Sequence, residues 1–316
     1  MKTFQHISTG ICLFILLLCF DTTRAQTASD AIMMNKYQWC SGVDYTYSQW
    51  NEYWEGTYKR SNANIGTVTT QAVSVMSNYG ITDKLNVMAG VPYIWTHASA
   101  GTLHGMEGLQ DLSLYLKWKP LTFPVANGKL SFFAIGGLST PVSNYVIDFL
   151  PMSIGLGSTT VSGRLMAYYR KGIFFVRASG AYVWRSNVTL DRTAYYTTSL
   201  HNTNEVEMPD VALFNGAIGI YKKYLIAEAM VDNQTTLGGF DMRKNDMPFP
   251  SNKMDQTSVG VHVKYTLPFY THVSANLGSS YVVAGRNVGQ ATTLNVGVFY
   301  AFYVKSRSRG FSEHSY

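Results

Sequence analysis

The chain has 316 residues, of which 46% are hydrophobic, 14% are aromatic and 14% are charged, and its formal net charge is +6. A small positive excess spread over this length is too diffuse for a nucleic-acid-binding surface, so we expect no nucleic-acid partner. The length suits one or two soluble domains or one membrane barrel.

The first 25 residues have the layout of a secretory signal peptide. Lys2 precedes an apolar run over 11–20, and the small residue Ala25 stands at the expected cleavage site. The run is too short for a stable spanning helix. Cleavage would remove two of the three cysteines and leave Cys40. We therefore predict a signal peptide over 1–25 and no intrachain disulfide.

Residues 26–44 are predicted to form a periplasmic leader. Within it, the stretch Ala28 to Trp39 is compatible with two arrangements. It folds back into the barrel as a plug, or it remains a disordered leader, as chain ends often do. The sequence leaves both open.

From residue 45 onward, alternating apolar and polar segments of about 10 to 14 residues recur with turn signals between them. We predict twelve strands, near 45–59, 67–80, 85–97, 111–121, 130–141, 158–170, 173–186, 210–221, 224–236, 257–267, 270–284 and 291–304. The breaks alternate between short turns and long loops rich in Gly, Asn, Ser and Pro. An even strand number with short turns on one side and long loops on the other is the plan of outer-membrane barrels.

These features predict an all-β fold, a single antiparallel transmembrane β-barrel of about twelve strands over 45–304. We expect short periplasmic turns, long extracellular loops and a location in the cell outer membrane. A polar, basic periplasmic tail is predicted over 305–316. The last strand ends in aromatic residues, which resembles the closing-strand signal read by the barrel assembly machinery.

The clearest hairpin is Val161 to Arg185, with Lys171-Gly172 as its predicted turn. Pairing around that turn sets Tyr169 opposite Phe174, on an apolar face with aromatic rings at both ends. Such a face suits two membrane interfaces. The alternation by itself also suits a soluble sandwich, but the loop pattern and the signal peptide favour the barrel.

Charged residues on the opposite strand faces are predicted to line the lumen. They are Lys117, Lys119, Arg164, Arg177, Arg185, Glu228, Asp232, His262 and Lys264. One interpretation is a polar pathway with a cationic bias that favours anionic or amphipathic solutes. The other is an interior of salt bridges that holds the barrel closed.

Three stretches resemble a known family. They are NYGITDKL over 78–85 with GVPY over 90–93, GLQDLSL over 108–114, and KWK over 117–119. With these stretches, the first half of the mature chain resembles the outer-membrane barrel family named for a phenol meta-degradation pathway. Gln110 stands where a second Gly is usual in that family. The resemblance implies a transport-type barrel, often near genes for small aromatic or hydrophobic compounds.

We therefore predict a channel or facilitator for small molecules, with hydrophobic, aromatic or anionic solutes as candidates. The expected partners are outer-membrane lipids, the assembly machinery and a small-molecule solute. No motif for a cofactor or metal occurs, and none is expected. The alternatives are a structural or adhesive barrel and an outer-membrane enzyme acting on lipids. The enzyme would need Ser, His and an acidic partner together at the outer rim, whereas His97, His104 and His201 lie near or in loops without a serine elbow.

Overall fold

The computed structural model describes residues 27–244 and 246–304. The predicted signal peptide and the predicted tail over 305–316 lie outside the described residues. Within the described ranges, no helix has the length and apolarity needed to cross a membrane.

Twelve long strands form one closed antiparallel sheet. They are β1 (Gln38–Trp50), β2 (Val68–Thr82), β3 (Leu85–Ala98), β4 (Asp111–Val125), β5 (Gly128–Pro141), β6 (Thr160–Lys171), β7 (Phe174–Arg185), β8 (Val211–Tyr221), β9 (Leu225–Thr236), β10 (Asp255–Thr266), β11 (Val273–Arg286) and β12 (Thr292–Tyr303). Each strand pairs with its neighbours in sequence, and β1 also pairs with β12. This closure leaves no sheet edge, and the predicted twelve-stranded barrel is confirmed.

Shorter strands lie in the long connections. Glu52–Glu55 pairs with Tyr58–Ser61, Glu107–Leu109 extends the sheet beside β3, Val188–Thr189 pairs with Glu205–Val206, and Tyr195–Tyr196 pairs with Leu200–His201. They give the extracellular loops secondary structure of their own.

The connections alternate in length as predicted. Two-residue turns join β2 to β3, β4 to β5 and β6 to β7, whereas the longest loops cover 142–159, 186–210 and 237–254. At the β4–β5 turn, Ala126 and Asn127 both have positive φ, of 45° and 63°. That geometry matches the right-handed twist of paired strands and makes a tight reversal. Short turns assign this end to the periplasm.

The first strand corrects the prediction. It spans Gln38–Trp50 instead of 45–59, so the leader ends at residue 37 rather than 44. Polar inward positions such as Gln38 and Asp44 alternate with Trp39 and Val43 on the outer face. The predicted boundary between residues 44 and 45 fell inside this alternating stretch. The chain beyond Trp50 leaves the barrel and forms the short hairpin.

The β6–β7 hairpin has the predicted faces but a different register. Its turn is Gly172-Ile173, with φ of +60° at Gly172, and Tyr169 pairs with Val176 instead of Phe174. A left-handed residue at the first turn position favours Gly. Because the register moves by two residues, every side chain stays on its predicted face.

The outer surface is an apolar band. Leu116, Val176 and Val261 are 48%, 51% and 55% exposed, while the same strands carry the buried inward residues Lys117, Arg177 and Lys264. Hydrocarbon contact suits these side chains, and the predicted assignment of lipid and lumen faces is confirmed at these positions.

Candidate functional site in the barrel lumen

Residues 27–37, called the N-terminal segment below, enter the lumen from the short-turn end. Lys117 projects inward from β4 and is fully buried. Its Nζ donates hydrogen bonds to the Thr27 carbonyl at 2.9 Å and to Asp30 Oδ1 at 3.0 Å. The described start of the chain is therefore attached to the inner wall.

Further contacts hold the segment along the wall of β2 and β3. Asn86 Nδ2 donates to the Met34 carbonyl at 3.1 Å, and Lys36 N donates to Asp83 Oδ1 at 2.9 Å. Apolar side chains of the segment alternate between two buried clusters. Ala31 and Met33 pack with Phe133, Ile135 and Met166, and Ile32 and Met34 pack with Cys40, Phe299 and Ala301. Of the two predicted arrangements, these contacts match the plug.

Asp30 is held as an anion inside the barrel. Burial acts to raise the pKa of its carboxyl, but the positive charges of Lys117 and Lys264 and the hydrogen bond from Lys117 hold that pKa below its usual value of 3.8. A buried carboxylate is stable when charge and hydrogen bonds compensate it. The segment therefore brings a negative charge to the middle of the lumen.

A cavity of about 570 Å³ lies between the N-terminal segment and the wall. Its charged lining consists of Asp30, Asp44, Asp83 and Glu228 with Lys119, Arg170, Arg177 and Lys264. Its apolar lining includes Phe133, Tyr168 and Phe175, and the rings of Tyr168 and Phe175 lie 5.4 Å apart. Acidic and basic side chains balance, so the cavity lining lacks the cationic bias that one interpretation of the sequence predicted.

Arg177, Glu228 and His262 form one cluster on this wall. Arg177 Nη2 lies 3.3 Å from Glu228 Oε2, and His262 Nδ1 lies 3.6 Å from Glu228 Oε1. Arg177 is 4% exposed, and its Nε has no hydrogen-bond partner among the described residues. Arg177 and Glu228 thus form an ion pair in the wall, as the second interpretation predicted, and the Nε donor of Arg177 is not used by it.

Arg164, Asp232 and Arg185 do not line this cavity. Arg164 Nη1 donates to Ser179 Oγ at 2.8 Å and is attracted by Asp232, which accepts from Asn215 Nδ2 at 2.7 Å. Arg185 lies at the extracellular end of β7, where its backbone N donates to Asp210 Oδ1 at 2.9 Å.

Of the nine predicted lumen residues, the cavity brings together Lys119, Arg177, Glu228, His262 and Lys264. Lys117 is covered by the N-terminal segment. Asp30 and Asp44 are not among the predicted lumen residues because both lie in the predicted leader. Asp44 is buried on β1 and accepts a hydrogen bond from Asn276 Nδ2 at 3.1 Å. The alternation of Asp44 with the apolar Val43 was the sequence pattern that could have indicated its inward position.

The extracellular loops pack together. Thr96 Oγ1 on β3 donates to the Met152 carbonyl at 2.7 Å, and Met152 is fully buried. The loops also share a small apolar core of Val188, Leu190, Tyr195, Val206 and Met208. The loop over 142–159 is therefore fixed to the inner face near the mouth of the barrel.

Asn287 joins three extracellular connections. Its Oδ1 accepts from Gly56 N at 2.7 Å and from Met242 N at 3.2 Å, and its Nδ2 donates to Asp241 Oδ1 at 2.9 Å and to the Lys253 carbonyl at 2.8 Å. Asn287 is 5% exposed and has φ of 53°. One buried amide thus connects loops that are far apart in sequence.

The histidine of the longest loop has hydroxyl neighbours. His201 Nε2 lies 2.9 Å from Thr197 Oγ1 and 3.4 Å from Ser199 Oγ, and its ring stacks on Tyr195 with centroids 4.8 Å apart. These contacts belong to one short hairpin turn. Within the described ranges, no group of three His, Cys, Asp or Glu side chains is placed to hold a metal ion.

Solved barrel structures resemble this chain, whereas no family model and no curated protein sequence matches it. Among solved structures, an outer membrane channel from Pseudomonas putida F1 superimposes with a TM-score of 0.69 at 15% sequence identity, covering 88% of this chain and 100% of that chain. The likeness shows that this chain has the fold of an outer-membrane β-barrel. The outer-membrane location predicted from the sequence is confirmed by this fold.

Two further barrels are similar in outline. The NanC porin gives a TM-score of 0.46 at 7% identity and covers 82% of this chain and 98% of its own. The translocator domain of the autotransporter NalP from Neisseria meningitidis gives 0.44 at 11% identity and covers 87% and 91%.

Proposed function

We propose that this chain is an outer-membrane channel for small molecules and that the N-terminal segment is its plug. The observation that carries the proposal is the cavity of about 570 Å³ inside a closed barrel. This volume falls in the range of small-molecule sites. Solutes enter from the loop end and leave past the segment at the periplasmic end.

The lining supports amphipathic solutes. Tyr168 and Phe175 offer an aromatic surface, while Arg177, His262 and Lys264 offer polar groups in the same lining. A solute with one apolar and one polar end contacts both. The resemblance to the phenol meta-degradation barrel family, read from the sequence, is consistent with small aromatic or hydrophobic compounds.

Outer-membrane lipids around the apolar band and the assembly machinery are further proposed partners, and no catalysis is proposed for the chain. A purely structural barrel is the competing hypothesis, in which the N-terminal segment stays docked and no solute passes.

A liposome-swelling assay tests transport. The refolded chain beginning at residue 26 is compared with a chain lacking residues 27–36, with folding checked by the faster migration of unboiled samples on a detergent gel. We expect swelling with small sugars and amino acids, faster for the shortened chain. Folded protein that gives no swelling in either form contradicts the channel.

A further inference from the structure

The barrel wall carries a buried cation whose ion-pair partner comes from the N-terminal segment. In the described part of the chain, the ion pair of Lys117 is with Asp30 at 3.0 Å. Arg177 pairs instead with Glu228 of the wall, and Arg164 is attracted by Asp232 of the wall. Lys117 thus differs from these two arginines, because undocking of the segment removes its carboxylate.

Undocking would leave this charge without a carboxylate partner. The segment covers Lys117, so undocking lets lumenal water reach its ammonium, but Arg164 and Arg177 remain close enough to repel it. Three neighbouring positive charges in a narrow lumen attract an anion, so a solute carboxylate that reaches Lys117 stabilises the undocked state. Lys264 adds a second positive charge that acts on the same carboxylate.

We infer that the Asp30 carboxylate occupies a lumenal anion site, and that the carboxylate of a small solute competes with it for Lys117 and thereby releases the plug. This inference rests on the proposed channel function and names its solute class and its regulation. The plug is then an internal substitute for the solute, and the channel opens in response to what it transports.

The surroundings of Lys117 favour a carboxylate attached to a small apolar group. The Phe133 ring centroid lies 5.9 Å from Lys117 Nζ, and Phe133 also lines the cavity. Ala31 and Met33 of the segment now cover this apolar surface. A solute that replaces both the charge of Asp30 and part of this apolar contact competes better than a small inorganic anion.

Tethering sets the scale of the competition. A group on a short flexible tether has an effective concentration on the order of millimolar. A solute carboxylate of similar intrinsic affinity therefore displaces Asp30 at millimolar concentration.

Single-channel recording in planar bilayers tests the inference, with benzoate as the probe and benzamide as its neutral isostere. The probe is added on both sides of the bilayer that holds the refolded chain beginning at residue 26, so that it reaches the lumen from the loop end by which solutes are proposed to enter. We expect benzoate to raise the open fraction by roughly tenfold, within the range of typical coupling between sites, and benzamide to leave it unchanged. Asp30→Asn, which keeps the shape but removes the charge, should be open without benzoate.

Two substitutions separate the site from general charge. Lys117→Gln should abolish the benzoate response, whereas Lys129→Gln, at an exposed cation near the β4–β5 turn, should retain it. If Lys117→Gln does not fold, the comparison of Asp30→Asn with the unchanged chain decides the question.

Equal responses to benzoate and benzamide overturn the inference, as does a benzoate response that survives in Lys117→Gln. If the chain lacking residues 27–36 conducts but the intact chain ignores benzoate, the inference fails and the channel function stands. If the folded chain conducts in neither form, the proposed function itself fails.

Discussion

Lys117 Nζ and Asp30 Oδ1 lie 3.0 Å apart, and this pair joins the start of the described chain to the middle of the barrel wall. The Lys117 side chain contacts neither water nor lipid, since it is 0% exposed. Removing one partner of a buried salt bridge is strongly destabilising, because the other charge is left uncompensated. The position of the N-terminal segment therefore depends on this contact more than on any surface ion pair of the loops.

Asp30→Ala should release the N-terminal segment. Loss of the carboxylate leaves Lys117 buried and unpaired, which costs about 3 to 5 kcal/mol while the segment stays docked. A thiol introduced by Ser29→Cys reports the release through faster labelling by a water-soluble maleimide, since Cys40 is fully buried. Asp246→Ala, at an exposed loop carboxylate, serves as the control and should leave the labelling rate unchanged. Equal labelling rates in all three backgrounds would show that the pair does not hold the segment.

Val176→Arg should destabilise the barrel. Val176 is the third of the twelve residues of β7, near the periplasmic turn, and it lies on the outer face with 51% of its surface exposed. Arginine on the lipid face costs most at the bilayer midplane and less toward the interfaces, so we expect a loss of about 1 kcal/mol here. Urea unfolding in lipid vesicles, followed by tryptophan fluorescence, measures the loss. Val176→Leu is the matched control, with a smaller change expected because the apolar swap keeps the contact with lipid. If the arginine is tolerated as well as the leucine, position 176 does not face lipid.

The neighbouring Arg177→Ala tests the inner face. Because Glu228 is 8% exposed at its side chain and pairs with Arg177, its carboxylate would be left uncompensated. We expect a cost of about 3 to 5 kcal/mol by the same urea titration. The double variant Arg177→Ala with Glu228→Gln removes both charges and should recover part of that loss. Additive losses would mean that the two groups do not interact.

Asn287→Ala should loosen three extracellular loops together. The substitution removes four hydrogen bonds from a buried amide and places alanine at a φ of 53°. Each bond contributes about 0.5 to 1.5 kcal/mol. Limited proteolysis of vesicle-inserted protein should show new cuts within 51–67 and 237–254. Asn287→Gly relieves the backbone strain but not the lost bonds, so it should be cut nearly as fast; full protection of both variants would contradict the role of the amide.

The loop contact of Asp241 should weaken at low pH. Hydrogen bonds from Arg286 and Asn287 lower the pKa of Asp241 from 3.8 to about 2. A lowered folded-state pKa means that the contribution to stability is present above 3.8 and is lost as the pH falls through about 2. The side chain is 43% exposed, so solvent screening keeps the effect small.

Pepsin, which cuts in this pH range, gives the measurement. Cleavage within 237–254, normalised to an unfolded substrate, should increase as the pH falls from 3.8 toward 2. Asp241→Asn should be cut readily across the range and show little pH dependence. A pH profile shared by both proteins would exclude Asp241 as its cause.

Strand positions and faces were predictable because alternation is local. Eleven of the twelve predicted segments overlap their strands closely, and side chains such as Leu116 and Lys117 lie on the predicted faces. The β6–β7 register was not fixed by alternation, since a shift of two residues preserves both faces. The turn decides it, through the left-handed Gly172.

The lumen was predictable only in part. Alternation places Lys117 inward, but its partner Asp30 lies 87 positions earlier in a segment that is not a strand. No local pattern marks such a contact, because it depends on how the closed barrel brings distant elements together. The same reason explains why Asp44 and the charge balance of the cavity were missed.

Single-channel conductance of the refolded protein in a planar bilayer tests the central claim most directly. The chain beginning at residue 26 should give small or intermittent currents, since the N-terminal segment lies in the lumen. The chain lacking residues 27–36 should give larger and steadier currents in the same salt. Equal conductance of the two proteins, or silence from both when each is folded and inserted, would contradict a plugged channel.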